Sequence, residues 1–301
     1  VREIIINERY LTEIMELIKT VLLGIIQGLT EFLPVSSSGH LILAQTFLGV
    51  TDPHEAGGSA MLLEVMLHVA TGIAVLYVFR KDIIGIITGC VSKDTLVRKD
   101  SLTYSGYVIL ATMPAAFVGI FFKKYINVLF DTSGGTLMPA YLASFMLLVT
   151  AGLLFLTLIK KGSSIFDGKL TLVKVLAIGA MQAVAITPGI SRSGSTIAIA
   201  LLVGVSRTEA GRFSFMLALP AIFGSALLEA RHVESFKALF SADMIAGFIA
   251  SFVVGIVALK FLLSFIKKGK LHYFAYYCIA ASIISLVCLT FFPNLIHRGG
   301  V

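Results

Sequence analysis

The amino-acid sequence predicts an all-α polytopic membrane protein built as an inverted-topology repeat, with six transmembrane helices and two re-entrant helical hairpins, about ten helices in all. Three observations carry this reading. Of the 301 residues, 57% are hydrophobic and 14% charged, with a mean hydropathy of +0.95, far more apolar than a soluble chain of that length needs to fill its core. The apolar residues are gathered into long stretches separated by short charged ones. The third observation is a duplication: Gly24 to Ile42 recurs 155 residues later as Gly179 to Ile197, and six of the nineteen positions coincide at that single offset, where average usage gives roughly one. The coincidences are Gly24/Gly179, Gln27/Gln182, Ser36/Ser191, Ser38/Ser193, Gly39/Gly194 and Ile42/Ile197. The chain therefore divides into two repeats, 1–165 and 166–301, within one integral membrane domain.

Taken in order, the segment from Val1 to Lys19 mixes charges with Ile and Leu at loosely helical spacing, and it lacks the apolar core and cleavage site of a signal peptide. It reads as an interfacial helix leading into the membrane. Residues 17–50 hold two apolar arms parted by Pro34 and Ser36-Ser37-Ser38-Gly39, each too short to cross a hydrocarbon core of about 30 Å comfortably. They form the first re-entrant hairpin. The stretches 62–80, 104–122 and 137–159 are long and apolar enough to span. The second repeat follows the same order, with a hairpin over 171–205 broken at Pro188-Gly189 and Ser191 to Gly194, then spans over 213–229, 243–265 and 273–293. Irregular backbone at membrane depth is tolerated only where protein buries it or it lines a wet cavity, so the hairpin tips are where a site belongs.

One returning hairpin plus three crossings is an odd count, so the second repeat sits upside down relative to the first and the tips meet near the midplane. Thirteen Lys and Arg fall on the side holding Arg80, Lys93, Lys160 and Lys267, against eight on the side holding Lys19, Lys123, Lys237 and Arg298. The thirteen side is expected to be cytoplasmic, with both termini and the mouth of the first hairpin outward, and the expected location is the plasma membrane as a multi-pass protein. Cys278 and Cys288 lie ten residues apart on one predicted helix, about 15 Å along its axis, so the three cysteines make no disulfide framework. Nor do they form a metal-binding pattern. The expected partners are membrane lipids, with no nucleic acid.

The two copies of the motif differ in their charged residues, because Glu31 and His40 belong to the first and Arg192 to the second. Together they read as one divided active site. Ionisable groups at membrane depth are costly and therefore functional candidates. Arg192, flanked by Ser191 and Ser193 and opening a helical arm, suits a phosphate: the guanidinium gives fork-shaped charge-assisted hydrogen bonds, and Ser191, Ser193, Gly194, Thr196 and free backbone N–H groups add more. The bland alternative is an Arg snorkelling to the interface, which its place at a broken tip disfavours. In the first copy Gln27 and Glu31 share one helical face, and their oxygens suit Mg²⁺ or Ca²⁺ if substrate phosphates complete the shell. Ser37 and His40, at i and i+3, suit a nucleophile and base pair, and His40 is equally a candidate nucleophile or general acid. Ser36, Ser38 and Gly39 join the phosphate-binding set, although a satisfied hairpin turn explains three serines and a glycine as well. Glu64 and His68 lie four apart in the span 62–80 and either support the site or pair with each other. Glu229 and Lys260, near helix ends, read as interfacial.

These residues resemble the motifs of the undecaprenyl pyrophosphate phosphatase family, UppP or BacA. Its first motif, Glu or Gln followed four residues on by Glu and leading into Phe-Leu-Pro-Val-Ser-Ser, stands here as Gln27, Glu31 and Phe32 to Ser37, followed by Ser38-Gly39-His40. Its second, Pro-Gly-x-Ser-Arg-Ser-x-x-Thr, is matched by Pro188, Gly189, Ser191, Arg192, Ser193 and Thr196. Two long, separated motifs at the right spacing make the resemblance specific, and length and hydropathy agree along essentially the whole chain. Many members carry Glu where this chain has Gln27, an accepted variant that leaves one carboxylate. The resemblance implies a membrane hydrolase, dependent on a divalent cation such as Mg or Ca, that removes the terminal phosphate of a C55 polyprenyl diphosphate to recycle the lipid carrier of cell-wall synthesis. It further implies bacitracin resistance on overproduction, an outward-facing site and a homodimer, with Glu31, Ser37, His40 and Arg192 in the principal roles.

Inverted repeats with broken helices also build secondary transporters, so a transporter or flippase of an anionic lipid is the alternative. A carrier has no need of a nucleophile, a base and a metal ligand together. A different group of membrane lipid phosphatases combines Lys-x6-Arg-Pro, Pro-Ser-Gly-His and Ser-Arg-x5-His; Ser38-Gly39-His40 superficially matches the middle motif, but Ser193 to Ile199, where the last motif places its His, contain none.

Overall fold

The structure, a computed structural model, describes residues 2–48, 59–130, 136–159, 169–231 and 241–292, and among these it contains twelve helices. The first repeat holds α1 (Arg2–Phe32), α2 (Ser37–Leu48), α3 (Ser59–Val78), α4 (Arg80–Cys90), α5 (Thr95–Phe121), α6 (Lys123–Leu129) and α7 (Met138–Leu156). The second holds α8 (Leu172–Val184), α9 (Arg192–Leu202), α10 (Arg207–Ala230), α11 (Ala242–Lys267) and α12 (His272–Phe291). Residues 49–50 of the first hairpin, and Lys160, Lys161, Lys237 and Arg298 among the basic residues counted above, lie outside the described residues.

Four departures from expectation are seen, three of them with local causes. The N-terminal helix and the first arm of hairpin one are a single helix, α1, since no proline interrupts the chain before Pro34. The span expected over 62–80 stops at Val78, and α4 leaves it at a 72° bend. Arg80, Lys81 and Asp82 open α4, and charged side chains favour running along an interface over continuing through hydrocarbon. The short helix α6 adds a second element not foreseen, so there are twelve helices where about ten were expected. Helix α5 also starts earlier than expected, at Thr95, because the Asp94 carboxylate caps it by accepting from the N–H groups of Leu96 at 2.9 Å and Val97 at 3.3 Å.

Five helices, α5, α7, α10, α11 and α12, are long and apolar enough to cross a membrane, and a sixth crossing is present if the bent α3–α4 pair counts as one. Helix α11 shows why this is a membrane fold. Ile245, Ile249, Val253, Val257 and Phe261 make an exposed apolar stripe at four-residue spacing, where a soluble helix would carry charge. Its opposite face, with Gly247, Ser251, Gly255 and Ala258, is small and buried.

The repeats pack crosswise. Helix α1 lies along α11 of the second repeat, α8 of the second repeat lies along α5 of the first, and α7 pairs with α12. The coinciding glycines explain the first two contacts. A Cβ on Gly24 would stand 2.4 Å from the Gly247 carbonyl oxygen, and one on Gly179 would stand 2.7 Å from that of Ala111. Each hairpin thus presses its first arm onto the backbone of a span from the other repeat, the small-residue packing that membranes favour in place of a hydrophobic driving force. Between α7 and α12 the equivalent adhesive is polar: Ser144 and Ser285 hydroxyls lie 2.7 Å apart, and Ser282 donates to the Ser144 carbonyl at 2.7 Å. This packing brings the two hairpin tips, α1–α2 and α8–α9, to one buried place.

Candidate active site

Each tip is built by the same cap. Helix α1 ends ahead of Pro34, which has no N–H to continue a helix, and Ser36 then adopts a positive φ of 70°, unusual for a serine. Its hydroxyl accepts from the Gly39 N–H at 3.3 Å and lies 3.3 Å from the Ser38 hydroxyl. At the second tip Ser191 caps α9, accepting from the Gly194 N–H at 3.1 Å with the Ser193 hydroxyl 3.3 Å away. The positions retained between the copies, Ser36/Ser191, Ser38/Ser193 and Gly39/Gly194, are therefore the parts of a repeated helix cap. Gly189 makes the turn before it, with φ +91°, and a Cβ there would come within 2.5 Å of that of Met146. Thr150 of α7 fastens the second tip, donating to the Gly189 carbonyl at 2.9 Å and accepting from the Ser191 N–H at 3.0 Å. Thr196 joins α9 to α10 through a 2.6 Å hydrogen bond with Ser214.

The tips touch. A Cβ on Gly39 would lie 2.9 Å from the Cα of Gly189, and one on Gly194 would lie 3.0 Å from the Cβ of Pro34. Across this contact the Glu31 carboxylate, buried at the end of α1, accepts from the Arg192 guanidinium at the start of α9. The same carboxylate accepts from Ser37 Oγ at 2.8 Å and Gln27 Nε2 at 3.1 Å, and His68 Nε2 of α3 stands 3.9 Å away. Arg192 gives a further hydrogen bond to the Ala218 carbonyl of α10 at 3.3 Å. Buried charge is tolerated only when paired and hydrogen-bonded, and this pair meets both conditions with partners drawn from both repeats.

Four of the expected residues, Gln27, Glu31, Ser37 and Arg192, are thus gathered around one carboxylate. His40 is arranged otherwise. Its Nδ1 lies 2.8 Å from the Ser36 carbonyl oxygen, and Nε2 lies 2.8 Å from the hydroxyl of Tyr277 on α12, with the two rings stacked at 5.6 Å. The i, i+3 pairing of Ser37 with His40 does not form, because Ser37 donates to Glu31 instead. Of Glu64 and His68, only the histidine reaches the site: its Nδ1 bonds the Glu64 backbone carbonyl at 2.9 Å, leaving Nε2 toward Glu31, while the Glu64 side chain is exposed. Tyr277 and Thr150 were missed by sequence reasoning. A tyrosine and a threonine inside apolar spans carry no signal of the partner that tertiary packing gives them.

The oxygen set suits a hard cation only in part. The Gln27 carboxamide oxygen is buried without a protein hydrogen-bond partner, while its amide nitrogen donates to the same Glu31 carboxylate oxygen that accepts from Ser37. Among the described residues no group of three or more His, Cys, Asp or Glu gathers into a closed metal site. The set fits a divalent cation whose remaining ligands are phosphate oxygens and waters. The second repeat cannot make an equal site, since Gln182 is buried against the Ala111 carbonyl and Ile186 occupies the position equivalent to Glu31.

Comparison with known proteins concerns the chain as a whole. Residues 20–284 match the family described as Bacitracin resistance protein BacA. An undecaprenyl-diphosphatase of Christiangramia forsetii is 39% identical over 274 residues, covering 91% of this chain and 98% of that protein. One from Korarchaeum cryptofilum is 37% identical over 281 residues, 91% and 100% of the two chains. One from Methanobrevibacter smithii is 37% identical over 280 residues, 90% and 96%.

Proposed function

The chain belongs to the bacitracin resistance protein BacA family and is an undecaprenyl-diphosphatase, and we propose that it hydrolyses its lipid diphosphate where the two hairpin tips meet. The observation that carries this is the Glu31–Arg192 pair, one partner from each repeat, with the carboxylate buried and the guanidinium partly open. A diphosphate carries two to three negative charges into a poorly solvated place, and Arg192 supplies the fork-shaped cation to meet them. The first N–H groups of α9, beside the Ser191 cap, add the positive end of a helix.

Ser37 is the nucleophile in this reading. Its hydroxyl already donates to Glu31 at 2.8 Å, so the carboxylate is positioned to take the proton as Oγ bonds to the terminal phosphorus. The bond from that phosphorus to the bridging oxygen breaks, undecaprenyl phosphate leaves, and water then hydrolyses the phosphoserine. His40 serves this second step. A carbonyl can only accept, so the contact with Ser36 makes Nδ1 the protonated nitrogen and leaves Nε2 as the proton acceptor for the water. When bound, Mg²⁺ or Ca²⁺ held by Glu31 and Gln27 would neutralise phosphate charge.

The chain is a multi-pass membrane protein by its five spanning helices. We further propose the plasma membrane, an outward-facing site and a homodimer. The excess of basic residues on one side supports the orientation, and the crosswise packing of α1 on α11 and α8 on α5 supports an inverted relation between the repeats.

The test is phosphate release from undecaprenyl diphosphate by protein in detergent, with Mg²⁺ or Ca²⁺ and then with a chelator, alongside Ser37→Ala, His40→Ala and Arg192→Ala. Loss of turnover in folded variants, with phosphorylated Ser37 trapped by acid quench in His40→Ala, supports the assignment. Full turnover in Ser37→Ala removes it as nucleophile. Retained headgroup binding without phosphate release by the intact protein would favour the carrier.

A further inference from the structure

Two sets of side chains at the site are placed for proton transfer. One surrounds Glu31; the other is the His40–Tyr277 pair, which joins the first hairpin to the last span of the second repeat. This pair combines two kinds of contact. The rings lie nearly parallel, at 12° and 5.6 Å between centroids, and a 2.8 Å hydrogen bond closes on Nε2.

The Ser36 carbonyl decides the direction of that bond. With Nδ1 carrying the proton, neutral His40 has a lone pair at Nε2, and the Tyr277 hydroxyl donates to it. A phenol is both donor and acceptor. Once Nε2 gains a proton in the reaction, the same oxygen can accept from it, so one side chain can hold the imidazole in both charge states. Phenylalanine would keep the stacked face and lose this reversible bond. Leucine would lose both.

We propose that Tyr277 is a positioning residue for the hydrolytic step: it fixes the plane of the His40 imidazole and covers Nε2 until substrate water displaces it. This rests on the catalytic reading of His40 given above. It also explains how a hairpin tip with a positive-φ serine is steadied on one side by α12 while Thr150 steadies the other tip from α7. The two last spans of the repeats, packed on each other, therefore each hold one tip.

The experiment compares wild type, Tyr277→Phe and Tyr277→Leu in detergent. The rate of diethyl pyrocarbonate modification at His40, read by peptide mass spectrometry, reports how available Nε2 is without reference to turnover. Steady-state hydrolysis of undecaprenyl diphosphate gives kcat and KM, and thermal melting checks folding. Tyr277→Phe is expected to melt like wild type, to be modified at His40 about fivefold faster, the weight of one net hydrogen bond, and to lose about tenfold in kcat with KM little changed. Tyr277→Leu is expected to lose more kcat. Unchanged modification of His40 in Tyr277→Phe overturns the proposed cover on Nε2, whatever happens to kcat. Faster modification with unchanged kcat overturns the positioning role while leaving the contact. A His40→Ala protein with full turnover would instead remove the catalytic reading of His40, and the modification rates would still report on the contact.

Discussion

Replacing Gly39 by Ala should separate the two halves of the site. Alanine is the better residue in a helix by about 0.5–1 kcal/mol, and Gly39 lies in the first turn of α2, so local propensity alone would make Gly39→Ala neutral or stabilising. The tertiary contact reverses the sign. The new Cβ would lie 2.9 Å from the Cα of Gly189 and 3.3 Å from the Ser36 hydroxyl, and the first of these neighbours is backbone that cannot rotate away. Carbon atoms pack at about 3.5–4.0 Å, so the tips must part by about 0.6–1 Å. Overpacking of this kind costs about 1–3 kcal/mol. The catalytic cost is larger in proportion, because Glu31 and Ser37 ride on one tip and Arg192 on the other, and a displacement of about 1 Å costs about 100-fold in rate. Turnover of undecaprenyl diphosphate would be measured beside the melting temperature, with Gly152→Ala as control. Gly152 is in α7, and a Cβ added there would meet nothing within 4 Å, so that change should stabilise slightly and leave turnover alone. Wild-type turnover in Gly39→Ala would refute the claim that direct contact of the tips sets the distance between Glu31 and Arg192.

Arg192→Lys keeps the charge but loses the planar fork, and kcat should fall by about 100- to 1,000-fold in the phosphate-release assay. Glu31→Gln leaves the partly exposed Arg192 without its carboxylate and should lower stability by about 1.5–3 kcal/mol in a melting or denaturant experiment, besides abolishing turnover. Gly179→Ala drives a methyl group to 2.7 Å from the Ala111 carbonyl oxygen and should destabilise the α8–α5 crossing by about 1–3 kcal/mol with no change in KM for protein that remains folded. Chelation should stop turnover and Mg²⁺ or Ca²⁺ restore it, and Gln27→Glu, by adding a second carboxylate beside Glu31, should lower the metal concentration needed for half-maximal activity.

The class of the protein and its family were legible in the residues alone, as was the meeting of Glu31 with Arg192. Composition and apolar stretch length are enough for a membrane protein, because burying backbone in lipid leaves helices as the natural solution for such a chain. The duplication with unequal charges was enough to expect Glu31 and Arg192 to face each other, since isolated charges at that depth would be untenable. What periodicity could not supply was contact between residues far apart in the chain. Helix packing determined that Ser37 would serve Glu31 and not His40, that Tyr277, 237 residues away, would take His40, and that His68 but not the Glu64 carboxylate would turn toward the centre. The same holds for the retained serines and glycines, which read in sequence either as phosphate ligands or as a satisfied hairpin turn, and which in the fold form helix caps and close approaches. Hydrogen bonds are directional and short-ranged, so a side chain's partner depends on fractions of an ångström in how helices cross, and that information is spread over the whole packed chain.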